Sequence, residues 1–319
     1  MDKIYITRKL PEEIVEPLRE KFDVQMWHSE STAMTYEEIK ANAKDAHALW
    51  TALSDNIDRG IIESLQNLKV ISNFGVGYNN IDVESAKEHG IIVTNTPGVL
   101  TETTADLTFA LLLATARRIT EVEQEIRAGN WISRSPMQYT GMDVFGATLG
   151  IIGMGRIGEA VARRAKGFDM NVLYHNRSRK LDAEETHGVR YMELDELLQQ
   201  SDFVILLTPL TLETKGLIGE RELNLMKETA AIINVARGGI VDEQALYEAL
   251  VSKKIWAAGL DVFEQEPIPI NHPLLTLPNV TVLPHIGSAS IRTRLAMMEL
   301  NAKDIEAVLK NKEPQNRIV

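Results

Sequence analysis

The sequence predicts an α/β protein of two domains, each built on a parallel β-sheet. Its 319 residues suit about two domains with full-sized cores. Strand-like runs alternate with segments of helical periodicity along most of the chain. The later strand-like runs are continuously apolar, which is typical of strands that helices cover on both faces. These observations favour two layered α/β domains.

Composition narrows the function classes. Apolar residues make up 44% and charged residues 25%, as in ordinary globular proteins. The formal charge of -11 disfavours nucleic acid as a partner, because like charges repel the phosphate backbone. The absence of cysteine excludes disulfides, thiolate nucleophiles and sulfur-ligated metals, and no paired histidines occur at ligand spacing, so we expect no metal site.

The chain start and its apolar runs predict neither secretion nor membrane insertion. The opening segment MDKIYITRKL alternates like a strand and lacks the basic start and long apolar run of a signal peptide. The longest apolar run, Leu107 to Ala116, is half of the roughly 20 residues that a spanning helix needs. We therefore expect a cytoplasmic protein with no membrane partner.

The N-terminal third predicts a small βα domain. Polar segments of helical periodicity, such as PEEIVEPLREK and YEEIKANAK, separate its strand-like runs. The runs are KIYIT, FDVQMW, AHALWTA, LKVISNF and GIIVTN. A single long helix is then predicted from Glu102 to Ala128, a stretch without Pro or Gly that ends at Gly129.

A second series of strands predicts the other domain. The strand-like runs are ATLGIIGMG, MNVLYHN, DFVILLTPL, AAIINVARGG, WAAGLDVFE and VTVLPHIG. An amphipathic segment from Ser290 to Lys312 follows and could pack back on the first domain. We therefore predict a substrate-binding outer domain from residues 1–99 and 288–319, and a nucleotide-binding inner domain from 100–287.

A glycine motif in the inner domain predicts a dinucleotide site. Gly153, Gly155 and Gly158 form a GxGxxG that follows an apolar strand and opens a helix. The first glycine permits a tight turn, the second lets the backbone approach a pyrophosphate, and the third lets the helix pack on the strand. A glycine-rich turn without a ligand is the alternative, which the strand-turn-helix order disfavours.

The end of the next strand indicates which dinucleotide binds. A site specific for NAD carries an Asp or Glu about 20 residues beyond the glycine motif, and none lies between Asp169 and Asp182. Instead the strand ends in Asn176, Arg177, Ser178 and Arg179. The guanidinium groups of the two arginines could bind a 2'-phosphate. The sequence thus favours NADP(H) and leaves NAD(H) open. A solvated surface turn is the alternative.

Polar residues after three inner-domain strands are candidates for chemistry, because ligands bind at the carboxyl ends of strands in such sheets. Arg237 follows the run that ends in Asn234, Val235 and Ala236, and is a permanently charged donor suited to a carboxylate or carbonyl oxygen. Glu266 and His285 follow the next two runs. Taken singly, each could instead be a structural ion pair, a loop carboxylate or a strand-end histidine.

Together these segments resemble the D-isomer-specific 2-hydroxyacid dehydrogenase family over essentially the whole chain. The resemblance is closest to the glyoxylate and hydroxypyruvate reductases, including those that act on 2-ketogluconate. The matching segments are residues 73–82, 96–98, 104–106, 153–158, 234–239, 259–267 and 284–288. The resemblance implies two Rossmann-like domains, a flavodoxin-like outer one and a doubly wound inner one, with a cleft between them.

The resemblance also implies roles for residues. Arg237 would bind and polarise a 2-keto acid whose carboxylate the Val76 and Gly77 amides also hold. His285 would donate a proton to the developing alkoxide, oriented by Glu266. The residues implied to line the cofactor, besides the glycines and the basic turn, are Thr104, Arg156, Ile157, Thr208, Pro209, Thr214, Val235, Ala236, Arg237, Asp261, His285 and Gly287.

Three points stay open on the sequence. The resemblance implies a homodimer built through the nucleotide-binding domain, as is usual in the family. In the reductases the segment around Trp131 and Ser135 to Met137 reaches a neighbour's cleft, but Trp131 could equally be a core residue. A non-catalytic NADP(H)-sensing protein with the same fold is one rival. A 3-phosphoglycerate dehydrogenase is another, disfavoured by the short segment after His285, and a formate dehydrogenase is disfavoured because Glu266 stands where that branch carries glutamine.

Overall fold

A computed structural model describes residues 1–319 and divides them into two compact units. The terminal unit comprises residues 1–100 and 289–319, and the central unit comprises residues 101–288. The predicted division placed each boundary one residue earlier. The assignment of substrate binding to one unit and of cofactor binding to the other stays a prediction.

The terminal unit is a five-stranded parallel sheet of order β2-β1-β3-β4-β5. This is the flavodoxin-like order, with a switch point between β1 and β3. Its strands are β1 (Lys3–Ile6), β2 (Asp23–Met26), β3 (Ala48–Ala52), β4 (Val70–Phe74) and β5 (Ile92–Thr94). Its helices are α1 (Glu12–Arg19), α2 (Tyr36–Asn42), α3 (Arg59–Ser64), α4 (Val83–Glu88) and, from the C-terminal segment, α12 (Ile291–Leu309).

Alternating strand side chains build two cores in this unit. Ile4 and Trp50 pack on one face with Ile305 of α12, so the C-terminal helix does join this unit. Tyr5 and Leu49, which point the other way, pack among residues of α2, α3 and α4. Helices thus cover both faces, as a parallel sheet requires.

The central unit is a seven-stranded parallel sheet of order β12-β11-β10-β9-β6-β7-β8. Its strands are β6 (Thr148–Ile152), β7 (Asn171–His175), β8 (Arg190–Tyr191), β9 (Phe203–Leu206), β10 (Ala231–Asn234), β11 (Ala257–Leu260) and β12 (Val280–Val282). Its helices are α5 (Thr101–Ala116), α6 (Ile119–Arg127), α7 (Arg156–Ala165), α8 (Leu181–His187), α9 (Leu194–Gln200), α10 (Glu220–Leu225) and α11 (Glu243–Val251). The order reverses between β6 and β9, which makes their carboxyl ends the expected ligand position. The α/β class with two parallel sheets is confirmed.

The single long helix predicted from Glu102 to Ala128 is wrong. It is two helices, α5 and α6, separated at Arg117 and Arg118, where Arg118 takes a left-handed φ of 54°. The carbonyl of Ala116 accepts the N–H of Met142 at 2.8 Å instead of continuing the helix. The break therefore follows from a distant chain segment that crosses the end of α5. No local sequence pattern predicts this contact.

Two smaller features complete the fold. Strand β8 was not predicted, because two residues are too few for a periodic pattern. No helix of the structure is both long enough and apolar enough to cross a membrane.

Candidate active site

The carboxyl ends of β10, β11 and β12 carry the three side chains predicted for catalysis. These strands are parallel neighbours, so the residues that follow them meet at one edge of the sheet. Arg237 follows β10, Glu266 follows β11 and His285 follows β12. With Asp261, which follows β11 directly, we call them the strand-end cluster.

His285 and Glu266 form a hydrogen-bonded pair. The Nδ1 atom of His285 lies 2.6 Å from Oε2 of Glu266, and Oε1 of Glu266 accepts the N–H of Phe263 at 3.0 Å. Burial raises the pKa of Glu266, but the hydrogen bond and charge of His285, the Phe263 N–H and the charge of Arg237 outweigh it, so the pKa lies below its usual value. Glu266 is therefore an anion that fixes the ring and leaves Nε2 as its outward nitrogen.

Asp261 holds the backbone on which His285 lies. Its two carboxylate oxygens accept the N–H groups of Ile286 at 2.8 Å and Gly287 at 2.9 Å, and its carbonyl accepts the N–H of His285 at 2.8 Å. His285 takes a left-handed φ of 53°, a conformation that needs such support. Burial raises the pKa of Asp261, and the hydrogen bonds from the Ile286 and Gly287 N–H groups offset only part of this increase. The sequence did not reveal this role; its only signal was an acid directly after a buried strand.

Arg237 lies in a loop held by its own strand. Asn234 accepts the N–H of Ala236 at 3.1 Å and donates to the carbonyl of Arg237 at 3.0 Å, while Arg237 Nη1 donates to the Ala236 carbonyl at 2.7 Å. A Cβ atom on Gly238 would meet the Phe263 backbone at 1.9 Å, so only glycine lets this loop approach the loop that carries Glu266. Burial lowers the pKa of Arg237 and the charge of Glu266 opposes this.

The glycine motif forms the turn from β6 into α7, and its geometry fits a dinucleotide. Gly153 takes a φ of 106°, and a Cβ there would lie 2.7 Å from the backbone of Thr208 at the end of β9. A Cβ on Gly158 would meet the Gly153 carbonyl at 2.4 Å, whereas Gly155 at the N-cap of α7 faces open space. The first amides of a helix have no intrahelical partner, so this open cradle suits an anion.

The basic turn, Asn176 to Arg179, follows β7 at the surface, and its two arginines differ. Arg179 donates two hydrogen bonds to Glu184, from Nε to Oε1 and from Nη2 to Oε2, each at 2.7 Å. Those bonds, followed by one from Tyr174, lower the pKa of Glu184 to about 2. The Arg177 side chain is exposed and makes no hydrogen bond, although its charge contributes to a lowered pKa of Glu213. Of the pair, Arg177 is thus the cation available to a ligand.

Other residues predicted to line a cofactor fall at the same edge of the central sheet. Pro209 follows β9, and its carbonyl accepts the Thr214 hydroxyl at 2.6 Å. Val235 and Ala236 follow β10. A Cβ on Gly287 would lie 3.4 Å from both Asp261 and Thr104 of α5. Their cofactor role stays a prediction.

The two amides predicted to hold a carboxylate belong to the terminal unit. Val76 and Gly77 lie in the loop between β4 and α4, again at the carboxyl end of a strand. Trp131 has 55% of its surface exposed, which rules out the core alternative within this chain.

Comparison with known proteins identifies the class. The sequence profile described as D-isomer specific 2-hydroxyacid dehydrogenase, NAD binding domain, matches residues 109–287. A glyoxylate reductase of Korarchaeum cryptofilum is 48% identical over 317 residues, which cover 99% of this chain and 95% of the relative. The chain belongs to the D-isomer specific 2-hydroxyacid dehydrogenase family, as the motifs predicted.

Solved structures agree with this membership. A protein from Thermus thermophilus superposes with a TM-score of 0.92 at 43% identity, covering 99% of this chain and all of that one. An NADPH-dependent glyoxylate/hydroxypyruvate reductase from Sinorhizobium meliloti, solved with NADP and malonate, gives a TM-score of 0.87 at 34% identity, covering 100% of this chain and 97% of that one.

Proposed function

We propose that this protein reduces a small 2-keto acid to the D-2-hydroxy acid with NADPH, glyoxylate being the first substrate and hydroxypyruvate and 2-ketogluconate further ones. The observation that carries the proposal is the hydrogen-bonded pair of His285 and Glu266 beside the charge of Arg237. Reduction of a keto acid needs a proton donor for the carbonyl oxygen and a cation for the carboxylate. His285, oriented by the Glu266 anion, and Arg237 can supply these two groups.

Each member of the strand-end cluster has one task in this proposal. Arg237 binds the carboxylate and keto oxygen of the substrate and draws electron density from the carbonyl. His285, protonated, donates from Nε2 to the oxygen as it gains charge, and Glu266 stabilises the imidazolium through Nδ1. In the reverse direction His285 accepts the proton. Asp261 keeps the His285 backbone in place.

A nicotinamide cofactor, when bound, supplies the hydride that the carbonyl carbon receives. We assign its pyrophosphate to the glycine turn, Gly153 to Gly158, because the turn is open at Gly155 and continues into the N-terminus of α7. We assign the 2'-phosphate of NADPH to Arg177, aided by Asn176 and Ser178, because no acidic residue lies in the turn. NAD(H) would bind the same turn without that contact.

The terminal unit has its own proposed contact with the substrate. We assign the carboxylate to the amides of Val76 and Gly77, at the carboxyl end of β4. Backbone N–H groups suit an anion because they cost no side-chain ordering and carry a fixed partial charge.

A homodimer is part of the proposal. Six large apolar side chains are exposed along the segment from α6 to the start of β6, more than surface in contact with water usually carries. The exposed residues are Ile119, Ile126, Trp131, Ile132, Met137 and Phe145. Sedimentation equilibrium should return twice the mass of one chain; the mass of a single chain would contradict the assignment.

The proposed function is tested by following oxidation of NADPH and of NADH at 340 nm with a panel of acids. The panel comprises glyoxylate, hydroxypyruvate, 2-ketogluconate, pyruvate and 3-phosphohydroxypyruvate. We expect the highest kcat/KM with NADPH and glyoxylate or hydroxypyruvate. Preference for 3-phosphohydroxypyruvate would make the protein a phosphoglycerate dehydrogenase. NADPH binding without turnover of any acid would favour a sensing protein.

A further inference from the structure

In the loop that follows β4, three successive carbonyl groups are each held by a separate donor. The carbonyl of Gly75 accepts the N–H of Thr96 at 3.0 Å. The carbonyl of Val76 accepts the side-chain amide of Asn95 at 2.7 Å, and that of Gly77 accepts the side-chain amide of Asn73 at 2.7 Å. Two of the three donors are therefore side chains, which fix consecutive peptides in one short loop.

The held carbonyl groups also fix the directions of the N–H groups in the same peptides. The peptides of this loop are trans. A trans peptide is planar, and its C=O and N–H point in opposite directions. Holding the carbonyls of Gly75 and Val76 thus directs the N–H groups of Val76 and Gly77 away from Thr96 and Asn95. These are the two amides assigned to the substrate carboxylate.

The donors themselves are well anchored. Asn73 is fully buried, and its Oδ1 accepts the Thr51 hydroxyl at 3.0 Å and the Asn80 amide at 3.2 Å. From α12, Asn301 donates to the Asn73 carbonyl at 3.1 Å. Asn95 directly follows β5 and is half-buried, with its N–H bonded to the Asn316 carbonyl at 3.3 Å. The loop conformation is consequently set by the strands and the C-terminal segment.

We propose that Asn95 is a positioning residue for substrate, acting through the Val76 carbonyl to aim the Gly77 N–H at the carboxylate of the 2-keto acid. The inference rests on the proposed function. Asn95 is the informative member of the set, because Thr96 acts through its backbone and Asn73 also supports the core of the unit. Without the Asn95 bond the peptide between Val76 and Gly77 is free to rotate, and substrate binding must then include the cost of ordering it.

The test compares Asn95→Asp and Asn95→Ala with wild type. The Asp side chain has the same shape but only accepts hydrogen bonds when ionised, so it repels the Val76 carbonyl. We expect KM for glyoxylate to rise at least tenfold in Asn95→Asp and less in Asn95→Ala. The kcat value and the Kd for NADPH should stay within about twofold, because the contact serves ground state and transition state alike. Asn42→Asp is the matched control, since Asn42 also donates to a carbonyl, that of Glu38, on an exposed helix.

A pH series separates positioning from general damage. When the introduced carboxyl group is protonated it can donate again, so the KM ratio of Asn95→Asp to wild type should fall as the pH is lowered from about 6 to about 4, where a carboxyl group of ordinary pKa takes up its proton. The Asn95→Ala ratio should not change. A KM within twofold of wild type in both variants, or a pH-independent ratio for Asn95→Asp, would overturn the inference while leaving the proposed function intact. If Asn95→Asp does not fold, Asn95→Ala decides alone through its KM and kcat. A wild type that reduces no 2-keto acid would overturn both.

Discussion

The strand-end cluster and the basic turn lie at the same edge of the central sheet, yet they are built in different ways. In the cluster both oxygens of each carboxylate have a partner inside the protein: Glu266 binds His285 and Phe263, and Asp261 binds two backbone amides. In the turn, the Arg177 side chain is exposed and makes no hydrogen bond, whereas Arg179 is bonded to Glu184. The difference fits the two proposed roles: catalytic groups are expected to be preorganised, whereas a residue that selects the cofactor is expected to meet its partner only on binding.

The largest expected effect comes from removing the proposed proton donor of the cluster, His285. His285→Ala should lower kcat about 10³-fold, the middle of the range for general acid catalysis, while the Kd for NADPH stays within about twofold. His272→Ala is the control, because His272 also pairs with a glutamate, Glu243, at 3.1 Å but lies outside the cluster. Turnover of His285→Ala at the wild-type rate would remove His285 from the mechanism.

A second substitution asks whether the anion beside His285 matters. Glu266→Gln keeps a side-chain oxygen for the Phe263 N–H but removes the charge that favours the imidazolium. We expect kcat for reduction to fall about 10²-fold. Glu264→Gln, at the exposed neighbouring glutamate, should leave kcat unchanged. A kcat at the wild-type value in Glu266→Gln would contradict the role assigned to Glu266.

The basic turn should respond more weakly and only in cofactor choice. Arg177→Ala should lower the ratio of kcat/KM with NADPH to that with NADH about tenfold, which corresponds to one charge-assisted hydrogen bond of about 1.5 kcal/mol. Arg179→Ala should change the ratio less than about threefold, because Glu184 already holds that guanidinium. Equal effects of the two substitutions, or an unchanged ratio in Arg177→Ala, would contradict the assignment of the 2'-phosphate.

The smallest effect concerns stability. Bonds from Arg179 and Tyr174 hold the pKa of Glu184 at about 2 in the folded chain, against 4.5 as the reference value. A lowered folded-state pKa adds stability that is complete above the reference value and is lost as the pH falls toward the folded value. Glu184→Gln should therefore destabilise the protein in urea at about pH 7 and progressively less below about pH 4.5. The exposed Glu185→Gln should show no such trend; a pH-independent loss in Glu184→Gln would contradict the ion-pair account.

Much of the fold was predictable because its signals are local. Buried parallel strands are continuously apolar, and a GxGxxG between strand and helix has a steric reason at each glycine. The break at Arg118 was not predictable, because the Met142 N–H that takes the Ala116 carbonyl comes from a distant segment. Strand β8 escaped prediction because of its length.

The candidate site divides in the same way. Arg237, Glu266 and His285 could be named from their places after apolar strands. Three contacts could not be predicted, because each depends on a rotamer or a loop conformation that sequence spacing does not determine. They are the pairing of Arg179 with Glu184, the backbone bonds of Asp261 and the contact of Asn95 with Val76. Residue type and position after a strand thus name the candidates, the family resemblance indicates the reaction, and the contacts support the roles proposed for Arg237, Glu266 and His285.

The most direct test of the central claim is to measure the product formed by the wild-type protein. NADPH and glyoxylate are supplied together, and the glycolate released is compared with the NADPH consumed. Reduction at the strand-end cluster predicts one glycolate for each NADPH oxidised. Oxidation of NADPH without glycolate, or no oxidation with any 2-keto acid of the panel, would contradict the account.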